Sequence, residues 1–228
     1  MMRRAILPLI LTMGLTAPAM GFADIIGSGP DGVQTMMTIQ FHGCEVRNLT
    51  RQSKAGDFED RYDSFDLKGQ TGEYHEDSNH DLLQFKAGSG DFSMQKIQGG
   101  APGAQLDLVV KMGKASYETS VSITQSGQTV TVQQSGLITD TGRKIVLGGV
   151  KFMIFGIDNK SVYPNATGTV LSSTRLYYNP DQNIAFEGEM TGGTYYDPKA
   201  TPTAPAAIIL PGQTGFNAKT PSYDCKNP

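Results

Sequence analysis

Through the middle of the chain, apolar and polar residues trade places at every step. Tyr117, Thr119, Val121 and Ile123 alternate with Glu118, Ser120, Ser122 and Thr124, and a little further on Val130 and Val132 oppose Thr129, Thr131 and Gln133. A period of two places successive side chains on opposite faces of an extended chain, so both segments read as half-buried strands. The short link Gln125-Ser126-Gly127-Gln128 between them is of hairpin type, which predicts a β-hairpin over 116–134.

The same pattern recurs along the sequence. Leu106, Leu108, Val110 and Met112 fall on one face of 105–112, with Asp107 and Lys111 on the other, and that segment also reads as a strand. Further strands are predicted at 35–41, 81–87, 92–97, 144–157, 169–178 and 183–190. Val150-Lys151-Phe152-Met153-Ile154-Phe155 is apolar on both faces for part of its length, as in a central strand. No window longer than about 12 residues keeps the helical period, and 27 glycines and 12 prolines interrupt the chain. Strands joined by such short links pair antiparallel. The expected fold is all-β and mainly antiparallel, a single-domain barrel or sandwich. A barrel interior would be lined by Leu106, Leu108, Val110, Val121, Ile123, Val130 and Val132.

Two regions lack alternation. Residues 51–80 are polar and charged and read as a long loop. Residues 197–228 carry Pro198, Pro202, Pro205, Pro211, Pro221 and Pro228 and read as an extended tail. The first 23 residues differ from both. Arg3-Arg4, the apolar run from Ala5 to Leu15 and the small residues around Gly21 and Ala23 are the three parts of a cleavable signal peptide. Cleavage is expected after Ala23, with Ala17-Pro18-Ala19 as the competing site. The apolar run falls short of the roughly 20 residues that span a bilayer, and no second such run follows, so no transmembrane segment is expected in the mature chain. The β domain then occupies 24–196 and the tail 197–228.

Composition narrows the class. Lys and Arg number 19 against 22 Asp and Glu, and removing the leader with its two arginines moves the formal charge from −3 to −5. An acidic surface without a basic stripe argues against nucleic acid as a partner. Cys44 and Cys225 remain in the mature chain. In an oxidising compartment an isolated pair forms a disulfide, and this one would clasp both ends of the domain. The localisation implied is export, to the periplasm or the extracellular medium.

Candidate chemistry is sparse. The chain holds no G-x-S-x-G, H-E-x-x-H, phosphate-loop or Cys-x-x-Cys motif, so no catalytic residue is assigned. Of three histidines, His42 reads as a polar strand-end residue. The others lie in the acidic run Glu73 to Asp81, where His75 and His80 with Asp77, Asp81 or Glu76 are the ligand types a divalent metal such as zinc takes. Asp57, Glu59, Asp60 and Asp63 add carboxylates nearby. The competing reading is a solvated acidic loop. Tyr177-Tyr178-Asn179-Pro180 and Tyr195-Tyr196-Asp197-Pro198 echo one another. Each is accounted for by a strand end followed by an Asx-Pro turn, or by a stacking platform for a flat ligand. The functional expectation is a non-catalytic binding protein of the cell envelope that takes an apolar small molecule or an envelope component. Should the barrel's own side chains fill its interior, binding moves to loops or an outer face. The alternatives are an adhesin-like or assembly protein of the envelope and a metal-dependent hydrolase built on the His75/His80 loop.

Overall fold

A computed structural model describes residues 32–54, 56–100, 102–164, 169–192 and 204–225. The expected signal peptide and the Tyr195-Tyr196 pair lie outside them. Twelve strands run in chain order: β1 (Val33–Phe41), β2 (Glu45–Lys54), β3 (Asp57–Asp66), β4 (Gly69–Asp77), β5 (Leu82–Ala87), β6 (Phe92–Gly99), β7 (Lys114–Gln125), β8 (Gln128–Leu147), β9 (Val150–Val162), β10 (Thr169–Asn179), β11 (Ile184–Gly192) and β12 (Pro205–Ile209). One short helix, α1 (Leu106–Met112), follows a 3-10 turn at Pro102–Gln105. No described helix is long and apolar enough to cross a membrane.

All twelve strands form one antiparallel sheet in which β1 to β11 pair in sequence as a meander, while β12 returns to pair with the outer side of β1. The sheet rolls into a nearly closed barrel. The expected all-β fold is therefore present, in its barrel form. The predicted 116–134 hairpin is β7 and β8. Its Ser126-Gly127 turn has φ of 48° and 79°, the two positive angles that a type I′ turn needs.

Three expectations require correction. Segment 105–112 is not a strand: Leu106 and Val109 are buried three residues apart on α1, whereas Leu108 (47%) and Met112 (70%) face solvent. Seven residues fit both periods. The choice falls to the flanks, Pro102 opening the turn and Gly113 closing the helix at φ 78° with its N–H on Val109 O. Leu108 and Val110 are consequently not lining residues, while Leu106, Val121, Ile123 and Val132 are buried as expected.

Residues 51–80 are not a loop but the end of β2, all of β3 and β4, and the turn after them. Their alternation is electrostatic. Arg61 pairs with Asp63 and Glu73, and Lys54 with Glu59, on a face where a hydrophobicity pattern sees only charge. Finally, 144–157 is interrupted by a turn at Gly148-Gly149 between β8 and β9. Within the expected extended tail, 205–209 pairs as β12.

Directly paired residues share a face, which orients the wall. Met37, Leu49, Tyr62, Tyr74 and Phe85 form one inner row across β1 to β5. On the far wall the inner row carries Tyr117, Ile138, Phe155, Ile157, Leu176, Tyr178 and Ala185, against which α1 packs Leu106 and Val109. The outer face of β1 and β2 is covered by the C-terminal segment. Asn217 N donates to Thr38 Oγ1 (2.7 Å), Ser222 N to Gln40 Oε1 (2.9 Å), and Asn48 Nδ2 to Ala218 O (2.9 Å). Cys44 and Cys225 are bridged, with Cα atoms 4.7 Å apart across 181 residues of chain. Thr38, Gln40 and Asn48 are buried polar groups; Thr38 Oγ1 donates to Asn48 Oδ1 (2.6 Å), and the strap satisfies Gln40 Oε1 and Asn48 Nδ2.

The remaining seam lies between the edge strand β11 and the inner face of β2 and β3, and side chains close it. Arg47 Nη1 donates to Glu187 O (2.9 Å), the Tyr62 hydroxyl to Ala185 O, and Arg51 to Gln182 O (2.9 Å) and Asn183 O (2.7 Å). Phe41 meets Phe186 edge-on at 6.1 Å beside them. Open strand edges invite pairing with foreign strands, and here the donors that cap the edge come from the barrel's own opposite wall.

Candidate functional site

A groove of about 510 Å³ lies on the outer face of β8 to β11. Register builds it. Thr139, Gly156 and Arg175 are paired across three strands, and Asp158, Ser173 and Thr191 form the adjacent row. Two irregularities frame these rows, one between Asp140 and Arg143 on β8 and one between Thr174 and Leu176 opposite β11. Bulges bend a strand and re-aim its side chains, and they bring Thr141 and Glu189 to the groove as well. Gly156 is its floor: a Cβ built there would lie 2.8 Å from Arg175 Nη1, so a side chain there would push the guanidinium from its place across the strand.

The lining is polar and mixed in charge. Ser173 Oγ donates to Asp158 Oδ1 (2.5 Å), and the Tyr177 hydroxyl donates to Glu189 Oε2 (2.8 Å). Burial, with the Glu189 carboxylate beside it, pushes the Tyr177 phenol well above its ordinary range, so it stays a donor at any physiological pH. Thr139, Thr141, Ser173 and Thr191 contribute hydroxyls, while Thr174 between them turns to the inner face with Ile157. Arg175 is exposed and carries no ion pair among the described residues. A second hollow, of about 120 Å³, lies beneath the C-terminal strap, where Arg61 and Asp63 already pair with each other.

The sequence-selected residues lie elsewhere. His75 is on the outer face of β4, Nδ1 on Glu59 (2.8 Å) and Nε2 on Glu73 (2.7 Å). His80 is turned inward, with Nδ1 3.3 Å from Glu76 and Nε2 2.8 Å from Asn183 Oδ1. Asp77 Oδ1 accepts from the N–H groups of Asn79 and Asp81, and Asp81 pairs with Lys96. The two imidazoles therefore do not converge. Among the described residues no group of three or more His, Cys, Asp and Glu side chains gathers as a metal would need.

Tyr177 and Tyr178, each 3% exposed, point to opposite faces of β10. Tyr177 stacks on Phe186 at 5.3 Å, and Tyr178 lies against Phe155 and His80. Gln182 N donates to Asn179 Oδ1 (2.7 Å), three residues on, so Asn179 closes the turn that follows β10 with its side chain.

A buried polar network, unread in the sequence, sits at the seam. Arg51 forks onto Asp60 with two bonds of 2.7 Å, and Asp60 is fully buried and paired in register with Glu76. Asn183 Nδ2 donates to Ser78 O, so its Oδ1 accepts from His80 Nε2 and from the Tyr178 hydroxyl. His80 Nε2 thus carries a proton, and His80 Nδ1 and Glu76 share a second. Burial raises Glu76 to about 7 against the pull of His80. For His80 burial acts the other way, but the Glu76 hydrogen bond and charge outweigh it and its pKa is raised. His80 and Asn183 both hold positive φ, 59° and 48°. This network fastens the β4–β5 and β10–β11 turns to the wall, and none of its residues lines the groove over β8 to β11.

The fold and its surface define a class: an antiparallel β-barrel clasped by a terminal disulfide, with its inside packed and a polar groove on its outer wall. The chain matches no protein-family model, no curated protein and no solved structure.

Proposed function

We propose that this chain is an exported protein of the cell envelope that acts by binding, and that the groove over β8 to β11 is its binding surface. The observation that carries the reading is the groove itself, a concavity of ligand size in which bulges and a glycine floor bring hydroxyls, two carboxylates and an arginine together. Export is supported by the tripartite leader of residues 1–23 and by the Cys44–Cys225 bridge, which persists only where thiols are oxidised. The inner clusters are filled by the barrel's own side chains and α1. That shifts the expected apolar-ligand site outward, to a surface of different chemistry. The outer faces of β7 and β9 carry Lys114, Glu118, Asp158 and Lys160, all exposed, which suits water rather than the apolar belt of a lipid-facing barrel.

The test is native mass spectrometry of the protein recovered from its own envelope fraction. A mature chain starting at Asp24, without free thiols and with a retained small-molecule mass that a groove-filling Ser173→Trp variant loses, is the expected result. A full-length reduced chain in the cytosol would sink the export reading. A retained mass indifferent to Ser173→Trp would remove the groove.

A further inference from the structure

Resting on the reading of the groove as a binding surface, we infer that its ligand is a neutral glycan chain. The chemistry of the lining selects against the other classes. An apolar ligand would strip water from four hydroxyls, two carboxylates and a guanidinium without replacing their hydrogen bonds, and buried unpaired polar groups are costly. An anionic ligand would gain Arg175 but meet both Asp158 and Glu189, on a mature chain already at −5. A cationic ligand would meet the Arg175 guanidinium, which lies over Gly156 in the row beside Asp158.

A sugar hydroxyl both donates and accepts, so one ligand group satisfies the whole mixed set. Carboxylates accept hydrogen bonds from neighbouring hydroxyls, and the guanidinium fork donates to ring or hydroxyl oxygens. Asp158 and Glu189 each already accept one bond, from Ser173 and Tyr177. That fixes the carboxylates while leaving lone pairs for the ligand. Threonine methyls beside the hydroxyls offer modest apolar contact to the C–H faces of a sugar ring.

Geometry favours a chain over a single unit. The two lining rows run across the strands, Thr139–Gly156–Arg175 and Asp158–Ser173–Thr191, so polar contacts recur at the ~4.8 Å spacing of neighbouring strands. A linear oligosaccharide laid across β8 to β11 presents its hydroxyls with a comparable repeat.

The experiment is titration calorimetry of the mature, disulfide-bonded protein against three panels: neutral hexose, pentose and N-acetylhexosamine oligomers; uronate oligomers; and medium-chain fatty acids. The expected result is binding within the neutral panel that strengthens from one sugar unit to several. Asp158→Ala and Arg175→Ala should each weaken it about tenfold or more, and Ser173→Trp should abolish it, with melting temperatures unchanged. Uronate or fatty-acid binding that Ser173→Trp blocks would overturn the glycan assignment and leave the groove reading standing. Neutral-panel binding that survives Ser173→Trp would overturn both, and silence across the neutral panel would overturn the assignment.

Discussion

Replacing Arg51 by leucine removes the guanidinium that holds Asp60 by two bonds of 2.7 Å and caps the carbonyls of Gln182 and Asn183. Asp60 is fully buried, and burial already raises its pKa against the opposing pull of Arg51. Breaking a buried pair from one side costs about 3–5 kcal/mol, because the other charge is left without compensation. Asp60 can escape part of that penalty by taking up a proton, which places the expected loss near the lower end, about 3 kcal/mol. In a domain of this size each kcal/mol moves the melting temperature by roughly 2–4 °C, so the midpoint should fall by about 10 °C. Urea denaturation and thermal melts of the mature protein at pH 7 measure it. Adding Asp60→Asn should restore part of the stability and give a coupling energy of about 2 kcal/mol in the double-mutant cycle. Arg61→Leu, which removes a half-exposed arginine paired with Asp63 and Glu73, is the control, and its loss should stay below about 1 kcal/mol. A loss at Arg51 no larger than at Arg61 would mean that Asp60 is hydrated, and the account of the seam would fail.

Three further outcomes follow from the same structure. Glu76 is raised to about 7 and His80 is also raised. Both bind protons more tightly folded than unfolded, so their contribution is complete in mild acid and fades as pH rises through neutrality. Glu59 and Glu73 are lowered by hydrogen bonds, to Lys54 and His75 and to His75 respectively, and their contribution fades as pH falls below the ordinary carboxylate range. Stability should therefore peak in mild acid, and Glu76→Gln should flatten the decline between about pH 5 and 8 in denaturant titrations; an unchanged slope refutes the shared-proton picture. Serine at both Cys44 and Cys225 should cost up to about 5 kcal/mol by the chain-entropy model. It should also raise hydrogen exchange at the amides of Asn217 and Ser222, whose acceptors are Thr38 and Gln40; protection equal to the bridged protein would show that the strap docks without its clasp. Leu106→Ala should lose about 2–4 kcal/mol through the cavity it leaves against Ile138 and Phe155, while Met112→Ala, 70% exposed, should change stability by less than about 0.5 kcal/mol. Equal losses at the two positions would place α1 in the wrong register.

Legibility followed the kind of alternation. Where apolar and polar residues exchanged sides, as over Tyr117 to Gln133, strand, turn and buried face could all be read. Where one face carries paired charges and the other buries Asp60 and Glu76 beside Tyr62, as along β3 and β4, the same geometry was invisible, because pairing partners lie a strand away in space. The groove was hidden for a related reason. Ser173, Thr191 and Thr139 look like any solvent-facing strand residues, and neither the register that lines them up nor the bulges that aim Glu189 can be counted from one segment. His75 and His80 show the converse: five positions apart and of the right chemistry, they are placed on different faces by the end of β4 and the turn after it.

Local pattern alone determined the antiparallel β character, the hairpin at Ser126-Gly127, the turn at Asn179 and the pairing of two cysteines, since each depends on neighbours in sequence or on there being no other partner. The tertiary structure alone decided that the ends of the sheet meet through Arg47, Arg51 and Tyr62, that residues 106–112 coil rather than extend, and that an outer-wall groove exists. Those outcomes rest on contacts between segments more than a hundred residues apart, on the registers and bulges that line up four successive strands, or on a choice between two periods that seven residues satisfy equally well, where burial against the rest of the barrel breaks the tie.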